Sequence, residues 1–106
     1  MSRTVQDNPE LKRYEIVDDD GELGAFAEYR LHGDVADFIH TQTVAGHEGH
    51  GVASSLMAGT MADVRRRGWS VLPYCPFVKA WLFKHPDFID LVPKDERARF
   101  GLVNPD

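Results

Sequence analysis

The stretch Val44-Ala45-Gly46-His47-Glu48-Gly49-His50-Gly51-Val52-Ala53 carries the densest chemistry in the chain. Its three glycines form a turn that leads into a helical apolar pattern. The first amides of a helix lack internal partners and stand at the positive end of its dipole. Glycines let an anion approach such a backbone closely. The stretch therefore suits a phosphate or diphosphate; the alternative is a plain tight turn from strand to helix. It is not a Walker loop, because no Gly-Lys-Ser/Thr occurs, and it lacks the three-glycine dinucleotide spacing. Cys75 precedes Pro76 at an expected helix start, where thiolate is favoured. It is a candidate nucleophile or proton donor, and otherwise a small core residue. His40 follows Phe38 and precedes Gln42, and strand alternation places the three on one face. An unperturbed imidazole titrates near about 6.5, which suits a general base. His40 and Cys75 should lie at the ends of adjacent parallel strands, close enough to pair. His47 and His50, with Cys75 or His40, would make a metal set only on a rigid frame. A glycine loop is a poor one, so no metal is expected.

These residues need elements to hold them. Residues 1–12 are polar and aperiodic, with Asn8-Pro9 marking a loop, and are expected to form a flexible segment. Strands are expected at 13–17, 22–31 and 35–44, separated by Asp18-Asp19-Asp20-Gly21 and His32-Gly33-Asp34. Short turns make them an antiparallel meander. From Val52 the apolar positions 52, 53, 56, 57, 61 and 64 predict a helix that runs to Arg67. Gly68 suits its end, and Arg65-Arg66-Arg67 complement the dipole as a solvated basic run. A strand at 69–74 follows, then a second helix from Pro76 to Lys84, stopped by His85-Pro86. The crossover from 35–44 to 69–74 is a β-α-β unit, so those strands should be parallel. The fold class is a mixed-sheet α+β domain over 13–93. Residues 94–106 read as a loosely held tail.

The chain has 106 residues, of which 42% are hydrophobic, enough for one two-layer core. Twelve basic against seventeen acidic residues give a net charge of −5, which offers no support for a nucleic-acid partner. One cysteine excludes an internal disulfide framework and a multi-cysteine zinc site. No apolar run approaches the roughly 20 residues needed to span a bilayer. The first residues lack the apolar core of a secretory signal. A cytoplasmic protein without a membrane partner is expected.

Glu48-Gly49-His50-Gly51-Val52-Ala53 resembles the acyl-CoA-binding signature of the GCN5-related N-acetyltransferases, Gln/Arg-x-x-Gly-x-Gly/Ala. Gly51 and Ala53 fall on its small positions. Glu48 departs from it, because a carboxylate cannot donate to phosphate. Phe38-Ile39-His40-Thr41, Leu72-Pro73-Tyr74-Cys75-Pro76-Phe77-Val78, Lys84-His85-Pro86 and Asp90-Leu91-Val92 extend the likeness. Together they resemble the short single-domain YjdJ-type members, over residues 14 to 93. The resemblance implies a shortened acetyltransferase fold without the early helices that cover an acceptor. It implies acetyl-CoA as cosubstrate, with Gln42, Thr43 and Val44 pairing with its pantetheine arm. His47, Glu48, Gly49, His50, Gly51, Val52 and Ala53 would surround the pyrophosphate. Cys75 and His40 would be the catalytic candidates. The implied reaction is acetyl transfer to an amine, with an open site that suits a protein side chain or polyamine. The alternative is a non-catalytic CoA-binding module, which Glu48 and the lack of an obvious carboxylate base in strand 35–44 would fit.

Overall fold

A computed structural model describes residues 3–49 and 51–102. Its strands are β1 (Arg3–Asn8), β2 (Arg13–Asp18), β3 (Leu23–His32), β4 (Val35–Thr43) and β5 (Ser70–Pro73), and its helices are α1 (Val52–Arg67) and α2 (Pro76–Lys84). The sheet order is β1-β2-β3-β4-β5. The first four strands are antiparallel neighbours, and β5 lies parallel to β4. This is a mixed α+β fold with the expected meander and β-α-β crossover. No helix among the described residues is long and apolar enough to cross a membrane.

Two expectations are corrected at the ends of the chain. Residues 1 and 2 lie outside the described residues. Over residues 3–12 the expected flexible segment is not found: Arg3–Asn8 pairs with Arg13–Asp18 as an edge strand. Its sequence, Arg-Thr-Val-Gln-Asp-Asn, has one apolar residue and so gives no alternation to read. Polar edges of this kind discourage pairing with other chains. The region after Val92 is not a loose tail through Leu102. It winds into short 3₁₀ turns at Lys94–Glu96 and Ala98–Phe100, and Phe100 and Leu102 are buried.

The core lies between the sheet and α1. Leu56, Met57, Met61 and Val64 bury the helix face against Tyr14, Ile16, Ala25, Ala27 and Phe38. Each large apolar side chain so buried contributes about 1.5–3 kcal/mol. Gly59 lets α1 approach β1, because a Cβ there would stand 2.6 Å from Val5 Cγ2. Gly68, with φ of 73°, ends α1. There the Trp69 amide bonds the Val64 carbonyl at 3.0 Å and the Gly68 amide bonds that of Arg65 at 3.1 Å. This double closure is a Schellman motif.

The arginine run at this end is not simply solvated, as its sequence suggested. Arg65 grips both carboxylate oxygens of Asp90 at 2.9 and 2.8 Å. Arg66 pairs with Asp63, and Arg67 bridges Asp7 and Asp63, each at 3.0 Å. The buried Tyr14 hydroxyl donates to Asp63 at 2.7 Å, and that of Tyr29 to Asp7 at 2.6 Å. Burial and the Asp63 bond push the Tyr14 phenol well above its ordinary range. Burial opposes ionisation of Asp63, but donation from Tyr14 and the two arginines outweighs it and holds the carboxyl low. A carboxyl depressed in the folded state stabilises above its unfolded pKa, near about 3.9, and loses that contribution as pH falls through the folded value. Asp63→Asn is therefore expected to cost about 1–3 kcal/mol at neutral pH, as a lost set of bonds to a charged group. Denaturant melts should show the deficit shrinking as pH drops below about 4. A deficit independent of pH would contradict this account.

Candidate functional site

Two irregularities in the sheet shape the region around the glycine loop. Glu28 pairs with His40 and Tyr29 with Phe38, so Ile39 is an extra residue in β4. Such a bulge reverses which side chains face which side. Before it, Phe38 is buried toward the core. After it, Thr41 and Thr43 sit opposite the buried Ala27 and Ala25, while His40 and Gln42 sit opposite Glu28 and Phe26. The expected common face of Phe38, His40 and Gln42 is thus corrected. A second shift, at Ile16/Val17, leaves Gly24 as the extra residue of β3. Gly24 backs the start of α1, where a Cβ would lie 3.0 Å from Val52 Cγ2.

The bulge also redirects the backbone. The β4–β5 pairing ends at Phe38↔Pro73, and the Cys75 amide takes the Phe38 carbonyl at 2.8 Å. Beyond it, the Val44 amide is bonded to Gly24 across β3 at 2.8 Å. Alternation along an antiparallel ladder then turns the backbone groups of Thr41 and Thr43 toward the β5 side. That is the side where β5 has ended at Pro73. The Val44 amide, expected to pair with the pantetheine arm, instead donates to the Gly24 carbonyl.

At the head of α1, Gly51 is the N-cap in the left-handed region, φ 67°, and no side chain caps the helix. The first turn contains no acidic residue. A cleft of about 260 Å³ opens here, lined by Thr43, by the loop residues Glu48, Gly49 and Gly51, by Val52, Ala53 and Ser54 of α1, and by Phe77 of α2. A larger hollow of about 460 Å³ lies between β1 and α1. Its charged lining residues are the paired Asp7, Asp63, Arg66 and Arg67, which marks it as part of the structural network.

Six of the expected cofactor residues, Thr43, Glu48, Gly49, Gly51, Val52 and Ala53, meet at the cleft. Gln42 does not; it is exposed and bonds His40 at 3.2 Å. His47 turns away, its ring on Glu22 at 2.7 Å. His50 lies outside the described residues. Among the described residues, no three His, Cys, Asp or Glu side chains cluster as a metal set. Glu48 folds back on its own loop, where Oε1 accepts the Gly46 amide at 2.8 Å. Its own amide and that of Gly46 hold this carboxyl below the usual carboxylate range.

Cys75, 4% exposed, is the N-cap residue of α2. Its thiol donates to Thr41 Oγ1 at 3.5 Å. His40 instead packs against Phe26, with ring centroids 6.2 Å apart. The structure brings Cys75 to Thr41 and not to His40, because the bulge has turned the histidine to the other face. Ser54 was not singled out from the sequence, and Thr41 and Phe77 appeared there only within the stretches that extend the likeness, with no role at the site. Ser54 and Phe77 follow the glycine loop and Pro76 directly, so the first turns of both helices were the available signal. Nothing local announced Thr41.

A five-stranded mixed sheet, with one parallel pair joined by a crossover helix whose head no side chain caps, defines a GNAT-like fold. The solution structure of a GCN5-like candidate N-acetyltransferase from Staphylococcus aureus has this fold, with a TM-score of 0.63 at 21% identity, over 85% of this chain and 87% of that one. Residues 13–91 match the family model described as GCN5-related N-acetyl-transferase. The chain belongs to the GCN5-related N-acetyltransferase family. Comparison with curated proteins gave no match.

Proposed function

We propose that the protein transfers the acetyl group of acetyl-CoA to an exposed amine. The observation that carries this reading is the cleft at the head of α1, which opens at the end of β4, beyond its pairing with β5. The first amides of α1 and the loop would hold the diphosphate. The free backbone edge at Thr41 and Thr43 would pair with the pantetheine amides. The thioester would then reach the gap beside Cys75.

The amine nitrogen attacks the thioester carbonyl, a C–N bond forms and the C–S bond breaks. Cys75 would supply the proton to the departing CoA sulfur; its thiol donates to Thr41 Oγ1 at 3.5 Å. The proton shed by the amine would leave on the open face, with the exposed His40 as its candidate acceptor. The thiol is then restored from solvent. Positioning of the two substrates supplies most of the remaining rate. The polar face bearing Glu28, His40 and Gln42 suits an amine presented by a protein side chain or polyamine.

Mass spectrometry of the protein after incubation with acetyl-CoA, with and without an amine panel, tests the reading. Retained CoA and acetylated amine are expected, with no acetyl group left on the protein. CoA retention without transfer to any amine would make the protein a binding module. No retention would remove acetyl-CoA from the account.

A further inference from the structure

Among the described residues that line the cleft, Glu48 is the one with a charged side chain. It is negative, and the ligand proposed for this cleft is negative too. The carboxylate is anchored: Oε1 holds the Gly46 amide at 2.8 Å, in the loop that should receive the diphosphate. Hydrogen bonds from its own amide and that of Gly46 favour its ionised form. The neighbouring His47 is engaged with Glu22 at 2.7 Å instead of turning toward Glu48. We propose that Glu48 is a built-in competitor of the cofactor's diphosphate, occupying a loop amide and setting a repulsive charge on the cleft wall so that CoA is held weakly and released readily. This rests on the acetyl-CoA reading above.

The geometry separates two roles of one side chain. As a hydrogen-bond acceptor, Glu48 orders the loop. As a charge, it opposes the ligand. Glu48→Gln keeps an acceptor oxygen for Gly46 and removes the charge. Glu48→Ala removes both. Calorimetric titration of CoA into the wild type and both variants reads the difference.

Glu48→Gln is expected to bind CoA roughly tenfold more tightly at low ionic strength, the effect of one charge several ångströms from a doubly charged group in water-like surroundings. The gain should vanish in about 1 M salt, where the screening length falls to about 3 Å. Glu48→Ala should also bind more tightly than wild type, by less than the glutamine variant, because its loop is no longer tied. Unchanged or weaker binding by Glu48→Gln would overturn the proposal, and so would a gain that persists in high salt. Failure of all three proteins to bind CoA would instead remove the acetyl-CoA reading, and this inference with it.

Discussion

Cys75→Ala is expected to lower acetyl transfer about 100-fold or more, the usual scale for losing a positioned proton donor. Affinity for CoA should stay within about twofold of wild type, because the phosphate end of the cleft is built from the loop and the head of α1. The argument rests on placement. The thiol is nearly buried, sits just past the end of β5, and gives its hydrogen to Thr41 Oγ1 at 3.5 Å. A thiol held as a donor is poised to give a proton to a sulfur leaving group of similar acidity. A serine hydroxyl is far less acidic, so Cys75→Ser should fall near the alanine variant and not near wild type. Turnover on a single amine, measured beside CoA titration and a thermal melt, checks this. Full turnover in both variants would exclude Cys75 from the chemistry. An acetylated Cys75 trapped in the wild type would make it the nucleophile instead.

Gly59→Ala should destabilise the fold by about 1–3 kcal/mol, the scale of overpacking a filled interface. Alanine in a helix interior normally gains about 1 kcal/mol over glycine, so the expected sign is opposite to helix propensity. The new methyl would stand 2.6 Å from Val5 Cγ2 and 2.7 Å from Val5 Cβ. The second of these atoms is fixed to the β1 backbone and cannot swing aside. Either β1 or α1 must shift, and α1 is tied to the sheet by the Arg67–Asp7 pair and the Tyr14–Asp63 hydrogen bond. A double-mutant cycle with Val5→Gly isolates the clash. The two changes should couple favourably by about 1–2 kcal/mol. Equal costs of Gly59→Ala in both backgrounds would show that β1 does not pack on the helix as described.

What could be read from the sequence follows from where burial imposes a pattern. The stripe at 52, 56, 57, 61 and 64 faces the sheet, so α1 was legible to its final glycine. The crossover rule then made β5 parallel to β4. β1 was not legible, because an edge strand covered on one side by a glycine and a single valine needs no apolar alternation. The C-terminal turns were missed for a related reason, since Phe100 and Leu102 reach the core through irregular backbone without a period. The glycine loop was legible as the turn that heads α1, and Glu48 as a departure from the family signature. His40 was assigned to the wrong face because alternation assumes an unbroken ladder. No residue type marks the bulge: Ile39 is an ordinary β-branched strand residue, and what makes it extra is the register of β3 against it.

The bulge at Ile39 gives β4 two reading frames. From Val35 to Phe38 one parity builds the core; from His40 onward the other parity does. Substitutions in the lower half are thus judged by how they fill the interior. In the upper half, Thr43 meets the cleft, and the even-numbered His40 and Gln42 meet solvent. A strand so divided can change what it binds at its upper end without disturbing the packing at its lower end, provided the extra residue is kept.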